Sequence, residues 1–233
     1  MTDQNPPASA LSIQDLRFRY PDMPSGEWVV DIASLDLAPG EQVLLKGGSG
    51  AGKSTLLQLI AGLLHPSEGS IRIAGTDITT LSGATADLFR GQHVGFIFQT
   101  FNLLHGFSAI ENVMAALMFS ARPPRQHRDL AAQTLTALGL DRHNADISQL
   151  SVGQQQRVAV ARAVVCEPEL VLADEPTASL DPDNAETAMD LIQLACSERN
   201  AALLCVSHDR SLDARFKRSA DFAELRSVAK EGV

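Results

Sequence analysis

The chain has 233 residues, a formal net charge of −9, an apolar share of 45% and a charged share of 20%. That length carries one α/β domain with a substantial core, or one domain plus an insertion, and the acidic balance disfavours non-specific nucleic-acid binding. No apolar run approaches the ~18 residues of a membrane span.

Residues 1–10 are polar and read as a flexible N-terminus with no signal peptide. From 11 to 46, strand patterns are broken by turn signals at Pro21-Asp22, Pro24-Ser25-Gly26 and Pro39-Gly40. Gln42–Lys46 is strand-like, and Thr55–Ala61 is helix-like and closed by Gly62. Between them stands Gly47-Gly48-Ser49-Gly50-Ala51-Gly52-Lys53-Ser54, a complete G-x-x-x-x-G-K-[ST] loop. Its glycines let the backbone curl until successive N–H groups face phosphate oxygens, and the helix that follows adds its positive dipole end. Lys53 can reach the β- and γ-phosphates, and Ser54 can place its hydroxyl on Mg²⁺. The bland alternative is a Gly-rich strand–helix turn with an incidental lysine. The match at each constrained position argues against it, so nucleoside triphosphate binding is expected.

A turn at His65–Gly69 precedes a half-exposed strand at Ser70–Gly75, and Val94–Gln99 reads as a buried strand. Between Ser108 and Val165 no strand is expected. Ile110, Val113, Met114, Leu117 and Met118 fall at helical spacing, as do Ala131, Leu135 and Leu138 before a capping Gly139. Arg122-Pro123-Pro124-Arg125 reads as a surface turn. This stretch is a helical subdomain inserted into an α/β core, with those apolar faces used for packing. Leu170–Asp174 is a continuous apolar run, as expected of a buried parallel strand. It ends in Asp174-Glu175, where one carboxylate can hold Mg²⁺, usually through water, and the next can polarise an attacking water. Asp181 N-caps a helix with Pro182 at its first position, and Ala185, Ala188, Met189, Ile192, Ala195 and Cys196 supply its buried face. Ala201–Val206 is a further buried strand, ending at Ser207-His208-Asp209. The alternation implies a largely parallel sheet wrapped by helices. Ala220–Leu225 reads as one strand with no glycine turn after it. Cys166, Cys196 and Cys205 sit in apolar contexts without C-x-x-C spacing and read as small buried thiols of a reduced, cytosolic chain.

The run Leu150-Ser151-Val152-Gly153-Gln154-Gln155-Gln156-Arg157 resembles the signature motif of ATP-binding cassette (ABC) ATPases. Read from the residues alone, Ser151-x-x-Gln154 is a capping box, and a helix N-terminus opening with Ser and Gly is also an anion site. Tyr20, the phosphate loop, Gln99, the signature, Asp174-Glu175, Ser179-Leu180-Asp181 and His208 are similar to that family in order and spacing, over about residues 11–210. The resemblance implies an α/β fold, a P-loop NTPase core of ABC type. That core has a mainly parallel sheet, an antiparallel N-terminal β subdomain and an inserted helical subdomain. Residues 11–233 would form a single ABC ATPase domain, its core at about 11–100 and 160–233 and the helical subdomain at about 101–160.

The resemblance further implies the cofactors ATP and Mg²⁺. Tyr20 would stack on adenine, and Gly47, Gly48, Ser49, Gly50, Ala51, Gly52, Lys53, Ser54 and Thr55 would hold the phosphates. Ser54, Gln99 and Asp174 would face the metal. Lys53, Gln99, Glu175 and His208 would serve catalysis. Ser151, Gly153 and Gln154 would act on the nucleotide of the opposite subunit in a homodimer, with Asp181 at the dimer interface. Taken singly, Tyr20 has the lesser alternative of a strand aromatic packed in the core, where Phe18 is the better partner, and a lone Gln99 or His208 reads as structural. One position departs from the family, which usually has glycine at Val152. Valine avoids positive φ, so this position is expected to need only ordinary helical dihedrals.

A narrower resemblance lies in Val94–Leu104 and Glu111-Asn112-Val113, together with Gln154-Gln155-Gln156-Arg157. These are similar to the ATPases of lipoprotein-release, macrolide-export and FtsE-type cell-division systems (LolD/MacB/FtsE). That resemblance implies integral membrane permease subunits as partners and a peripheral location on the cytoplasmic face of the inner membrane. The task would be export or extracytoplasmic mechanical work, with no nucleic acid involved. Phe101, Leu103 and Leu104 would then lie where the membrane partner docks, their alternative being core packing. Two other functions stay open. A soluble ABC-type ATPase acting on nucleic acid or ribosomes would usually carry a second cassette, long coiled coils or zinc modules, and the sequence has none. A nucleotide-binding scaffold with little hydrolysis is left open by Val152 and opposed by Glu175.

Overall fold

A computed structural model describes residues 9–22, 27–178 and 180–226, without the side chains of Pro182 and Asp183. Most of the N-terminal stretch, the Pro24-Ser25-Gly26 turn and Ser179 therefore lie outside the described residues.

Four strands form an antiparallel sheet: β1 (Leu11–Phe18), β2 (Val30–Leu37), β4 (Glu68–Ile73) and β5 (Thr76–Asp77), in the order β2-β1-β4-β5. In β1 the buried residues are Leu11 and Ile13, then Leu16 and Phe18, so the two-residue alternation slips by one. The slip is absorbed at Asp15, which adopts φ 48° where the pairing with β4 shifts register. This bulge keeps both halves of the strand facing one core. Gly69 opposite must be glycine, because a Cβ there would lie 2.3 Å from the Asp15 carbonyl oxygen.

A second, parallel sheet contains β3 (Gln42–Lys46), β6 (Val94–Ile97), β7 (Leu170–Asp174), β8 (Ala202–Ser207) and β9 (Arg218–Asp221), in the order β6-β7-β8-β3-β9. Successive residues of its central strands alternate between two cores. Val43, Leu45, Leu170, Leu172, Leu204 and Val206 meet the antiparallel sheet and helix α1 (Lys53–Ile60). Leu44, Val171, Ala173, Leu203 and Cys205 meet a core built with α3 (Ala109–Leu117), α4 (His127–Ala137), α5 (Val152–Val164) and α6 (Pro182–Ser197). Burial on both faces is why β7 and β8 read as unbroken apolar runs.

Several expected elements move. Helix α1 begins two residues before Thr55, directly on the loop lysine. Helix α2 (Gly83–His93) buries no side chain fully, so no apolar period announces it. Met118 falls at helical spacing but caps α3 and stays 75% exposed, because the helix stops at Leu117. The expected strand at Ala220–Leu225 is displaced. Pairing with β3 ends at Asp221, buried Phe222 leads a turn, and Arg226 bridges back to Ile32.

Candidate active site

In an open parallel sheet, ligands bind beyond the carboxyl ends of the strands. Here β3 ends in the phosphate loop, β6 in the segment carrying Gln99, β7 in Asp174-Glu175 and β8 in Ser207-His208. They surround a cleft of about 650 Å³ lined by Tyr20, Val29, residues 49–55, Gln99, Glu175 and His208.

Two glycines of the loop are fixed by geometry. Gly50 and Gly52 have φ of 76° and 102°, and a Cβ on Gly52 would lie 2.5 Å from the Val29 carbonyl oxygen. Gly52 opens α1 without a side-chain cap, which leaves the first-turn N–H groups for an external anion. Lys53 is only 6% exposed. Its Nζ donates to the carbonyls of Gly47 (2.7 Å) and Gly48 (2.9 Å) and lies 3.7 Å from Glu175 Oε1. A nearly buried ammonium beside a helix N-terminus that lacks a side-chain cap suits a polyanion.

Residues fit for a metal stand beside it. Ser54 Oγ donates to Asp174 Oδ1 at 3.1 Å. Burial raises the Asp174 pKa, opposed by the Ser54 hydroxyl; the charge of Glu175 raises it further and that of Lys53 lowers it. Among the described residues no group of three His, Cys, Asp or Glu is placed to hold an ion. One carboxylate and one hydroxyl, completed by phosphate oxygens and water, is the donor set that suits Mg²⁺ better than a dedicated protein cage.

Glu175 itself is left-handed, with φ 46°. Its N–H donates to Val206 O (3.0 Å), and its carboxylate Oε2 accepts from Ser207 Oγ (2.9 Å) and His208 N (3.3 Å). His208 Nδ1 lies 2.9 Å from Oε1, which leaves Nε2 for another partner. Ser207, buried, is a member of this cluster that sequence reasoning passed over, since a serine at a strand end carries no pattern. Tyr20 is 40% exposed at the cleft wall, its hydroxyl 3.4 Å from Thr55 Oγ1, while Phe18 takes the core position beneath it at 5.0 Å, edge to face.

Ser151, Gly153 and Gln154 do not line this cleft. They form the N-terminus of α5, where Ser151 Oγ accepts from Gln154 N–H (3.3 Å) and Gln154 Oε1 accepts from Ser151 N–H (3.0 Å), the capping box read from the sequence. Val152 is exposed in the first helical turn and has no positive φ. Asp181 caps α6 by accepting from Asn184 N–H at 3.1 Å. Beyond Gln99, Phe101 and Leu103 are buried in the helical core, the packing alternative read for them from the sequence. Leu104 and Phe107 are the exposed apolar residues there, at 43% and 49%.

The family model described as ABC transporter matches residues 30–178. The chain is 41% identical to the ABC transporter ATP-binding protein YtrE of Bacillus subtilis (strain 168) over 182 residues, 78% of this chain and 79% of that protein. It is 40% identical to the lipoprotein-releasing system ATP-binding protein LolD of Pseudomonas syringae pv. tomato over 205 residues, 88% of this chain and 90% of that one. Among solved structures, a dimeric ATP-binding cassette in a post-hydrolysis state, bound to ADP and Pi, aligns with a TM-score of 0.78 at 32% identity. The alignment covers 91% of this chain and 93% of the other.

Proposed function

This chain belongs to the ABC transporter family and is an ATP-binding, ATP-hydrolysing subunit, and from that premise we propose how its residues use ATP to drive a membrane partner. The observation that carries the reading is the convergence of four strand ends on one cleft, with Lys53, Ser54, Gln99, Asp174, Glu175 and His208 around the phosphate loop.

Adenine stacks on Tyr20, and residues 47–55 cradle the phosphates through backbone N–H groups and Lys53. Lys53 gives up its loop carbonyls for phosphate oxygens and neutralises charge that builds up in the transition state. Ser54, Asp174 and Gln99 would hold Mg²⁺, which would supply further neutralisation of phosphate charge. Glu175 accepts a hydrogen bond from the attacking water and orients it, and His208 contacts the γ-phosphate. Ser151, Gly153 and Gln154 do not line their own cleft and complete the site of a second copy, so two nucleotides lie at a two-fold interface. The dimeric, ADP-bound cassette supports this arrangement. The chain acts as one ATPase domain, its core at about 11–100 and 160–233 and its helical subdomain at about 101–160.

Among the described residues no helix is long and apolar enough to cross a membrane. By analogy with its ATP-binding relatives, the chain works as a peripheral subunit on the cytoplasmic face of the inner membrane, bound to integral permease subunits through the surface near Leu104 and Phe107. Its task is export or extracytoplasmic mechanical work, the class to which lipoprotein release by the LolD relatives belongs. The test is Glu175→Gln. Hydrolysis should fall by about 10²–10⁴-fold, as expected on loss of a general base, and Mg·ATP should trap a dimer in light scattering. A variant that stays monomeric at saturating ATP and tens of micromolar protein would overturn the shared-site reading.

A further inference from the structure

The loop that carries Gln99 is tied to the helix that opens on Ser151. After β6 the chain turns sharply: Phe101 N–H donates to Phe98 O (3.1 Å), Asn102 N–H to Thr100 O (2.7 Å), and Thr100 Oγ1 to Asn102 Oδ1 (2.9 Å). Phe101 and Asn102 are both left-handed, with φ of 59° and 47°. Asparagine tolerates that region, but phenylalanine visits it rarely, so something must hold the turn. Arg162 of α5 supplies the hold. Its Nη2 donates to Phe101 O and its Nη1 to Asn102 O, each at 2.6 Å. Among the described residues no carboxylate pairs with this guanidinium, so the two carbonyls are its polar partners. The backbones also touch nearby, since a Cβ on Gly95 of β6 would lie 2.2 Å from Ala163 O of α5.

We propose that Arg162 is a positioning residue for hydrolysis: its planar fork locks the left-handed Phe101-Asn102 turn to α5 and thereby sets where Gln99 sits in the nucleotide cleft. This rests on the reading of Gln99 as a residue that faces the metal and the attacking water. Two parallel donors at fixed spacing match two consecutive carbonyls, whereas a lysine ammonium is a single point of attachment. The turn lies only two residues beyond Gln99, so releasing it lets the loop relax toward extended backbone and withdraws Gln99. The phosphate loop, to which Arg162 makes no hydrogen bond among the described residues, keeps its grip on ATP. A loss in kcat at nearly constant nucleotide affinity is therefore expected.

A double-mutant cycle on the full chain tests this. Arg162→Met keeps the apolar stem and removes the donors. It should lower the phosphate-release rate about ten-fold or more, with fluorescent-ATP affinity within about two-fold. Gln99→Ala should lower the rate as well, and adding Arg162→Met to Gln99→Ala should then change it by less than about two-fold, because the two act through one group. Arg162→Lys should recover only part of the loss, and it replaces Arg162→Met throughout the cycle if that variant does not fold. If Gln99→Ala slows turnover while Arg162→Met leaves it within about two-fold, or if the two losses multiply, the positioning role is overturned and Gln99 keeps its own. If Gln99→Ala leaves turnover unchanged, the reading of Gln99 fails and the proposal falls with it.

Discussion

Asn112→Ala removes a fully buried side chain that organises the segment between Gln99 and α3. Asn112 Oδ1 accepts from Leu104 N–H at 2.7 Å, and its Nδ2 donates to Leu104 O at 3.2 Å and Ser108 O at 3.0 Å. Ser108 O keeps a second partner, the Asn112 N–H at 3.0 Å, so its loss is small. Leu104 loses partners for both its N–H and its C=O. Each lost bond is worth about 1 kcal/mol net, and a group left buried without a partner costs about 1–3 kcal/mol. Leu104 is partly exposed, so water can restore some of this. The sum is a loss of about 2–4 kcal/mol. In a chain of this size that lowers the melting temperature by roughly 5–15 °C. Asn112→Asp should be no better, since it keeps the acceptor, loses both donations and buries a charge. Urea unfolding of the nucleotide-free protein measures the effect. A loss under about 1 kcal/mol would show that the network is not what holds the segment. ATP affinity should be unchanged, because no residue of this network lines the nucleotide cleft.

Gly52→Ala should destabilise by at least about 2 kcal/mol and abolish ATP binding, since it combines positive φ with a backbone clash, whereas Gly48→Ala, whose Cβ would meet nothing, should fold like the parent in the same melts. Ser151→Arg should place a bulky cation at the shared interface and abolish ATP-driven dimerisation in light scattering while sparing ATP binding to the monomer. Val152→Gly should change turnover only a few-fold, under ~1 kcal/mol in the barrier, because the position is ordinary helix; a hundred-fold rise would make valine a brake. Burial pushes the Cys166 thiol up to about 11 and Cys196 up to about 12, with Cys205 higher still. These thiols stay neutral until the pH nears those values. At pH 8 Cys166 is therefore held as the neutral thiol, and its iodoacetamide labelling, followed by mass spectrometry, should run far slower than that of a free thiol.

What the sequence made legible depends on whether function and fold used the same signal. The phosphate loop was readable because glycines at 50 and 52 are demanded by positive φ. The strands β7 and β8 were readable because burial on both faces leaves a continuous apolar run. Helix α2 was hidden because it buries no side chain fully. Phe101 and Leu104 look alike in sequence, yet a left-handed turn sends one into the core and leaves the other exposed. Arg162 and Ser207 had no local pattern at all, for their partners lie 61 and 32 residues away in the chain.

The surroundings of Glu175 explain why glutamine is the informative replacement there. The left-handed φ turns the side chain from the end of β7 toward β8, where two donors, Ser207 Oγ and His208 N, converge on Oε2. A glutamine oxygen accepts from both. Its amide would replace Oε1, which faces His208 Nδ1 at 2.9 Å and Lys53 Nζ at 3.7 Å. The histidine can change tautomer and accept from that amide, and Lys53 keeps its two loop carbonyls. The substitution thus removes the negative charge and the capacity to take a proton while retaining the hydrogen-bond frame. A collapse of hydrolysis with intact ATP binding would therefore report on chemistry at Glu175, whereas Glu175→Ala would also leave Ser207 and His208 without their acceptor and confound the two.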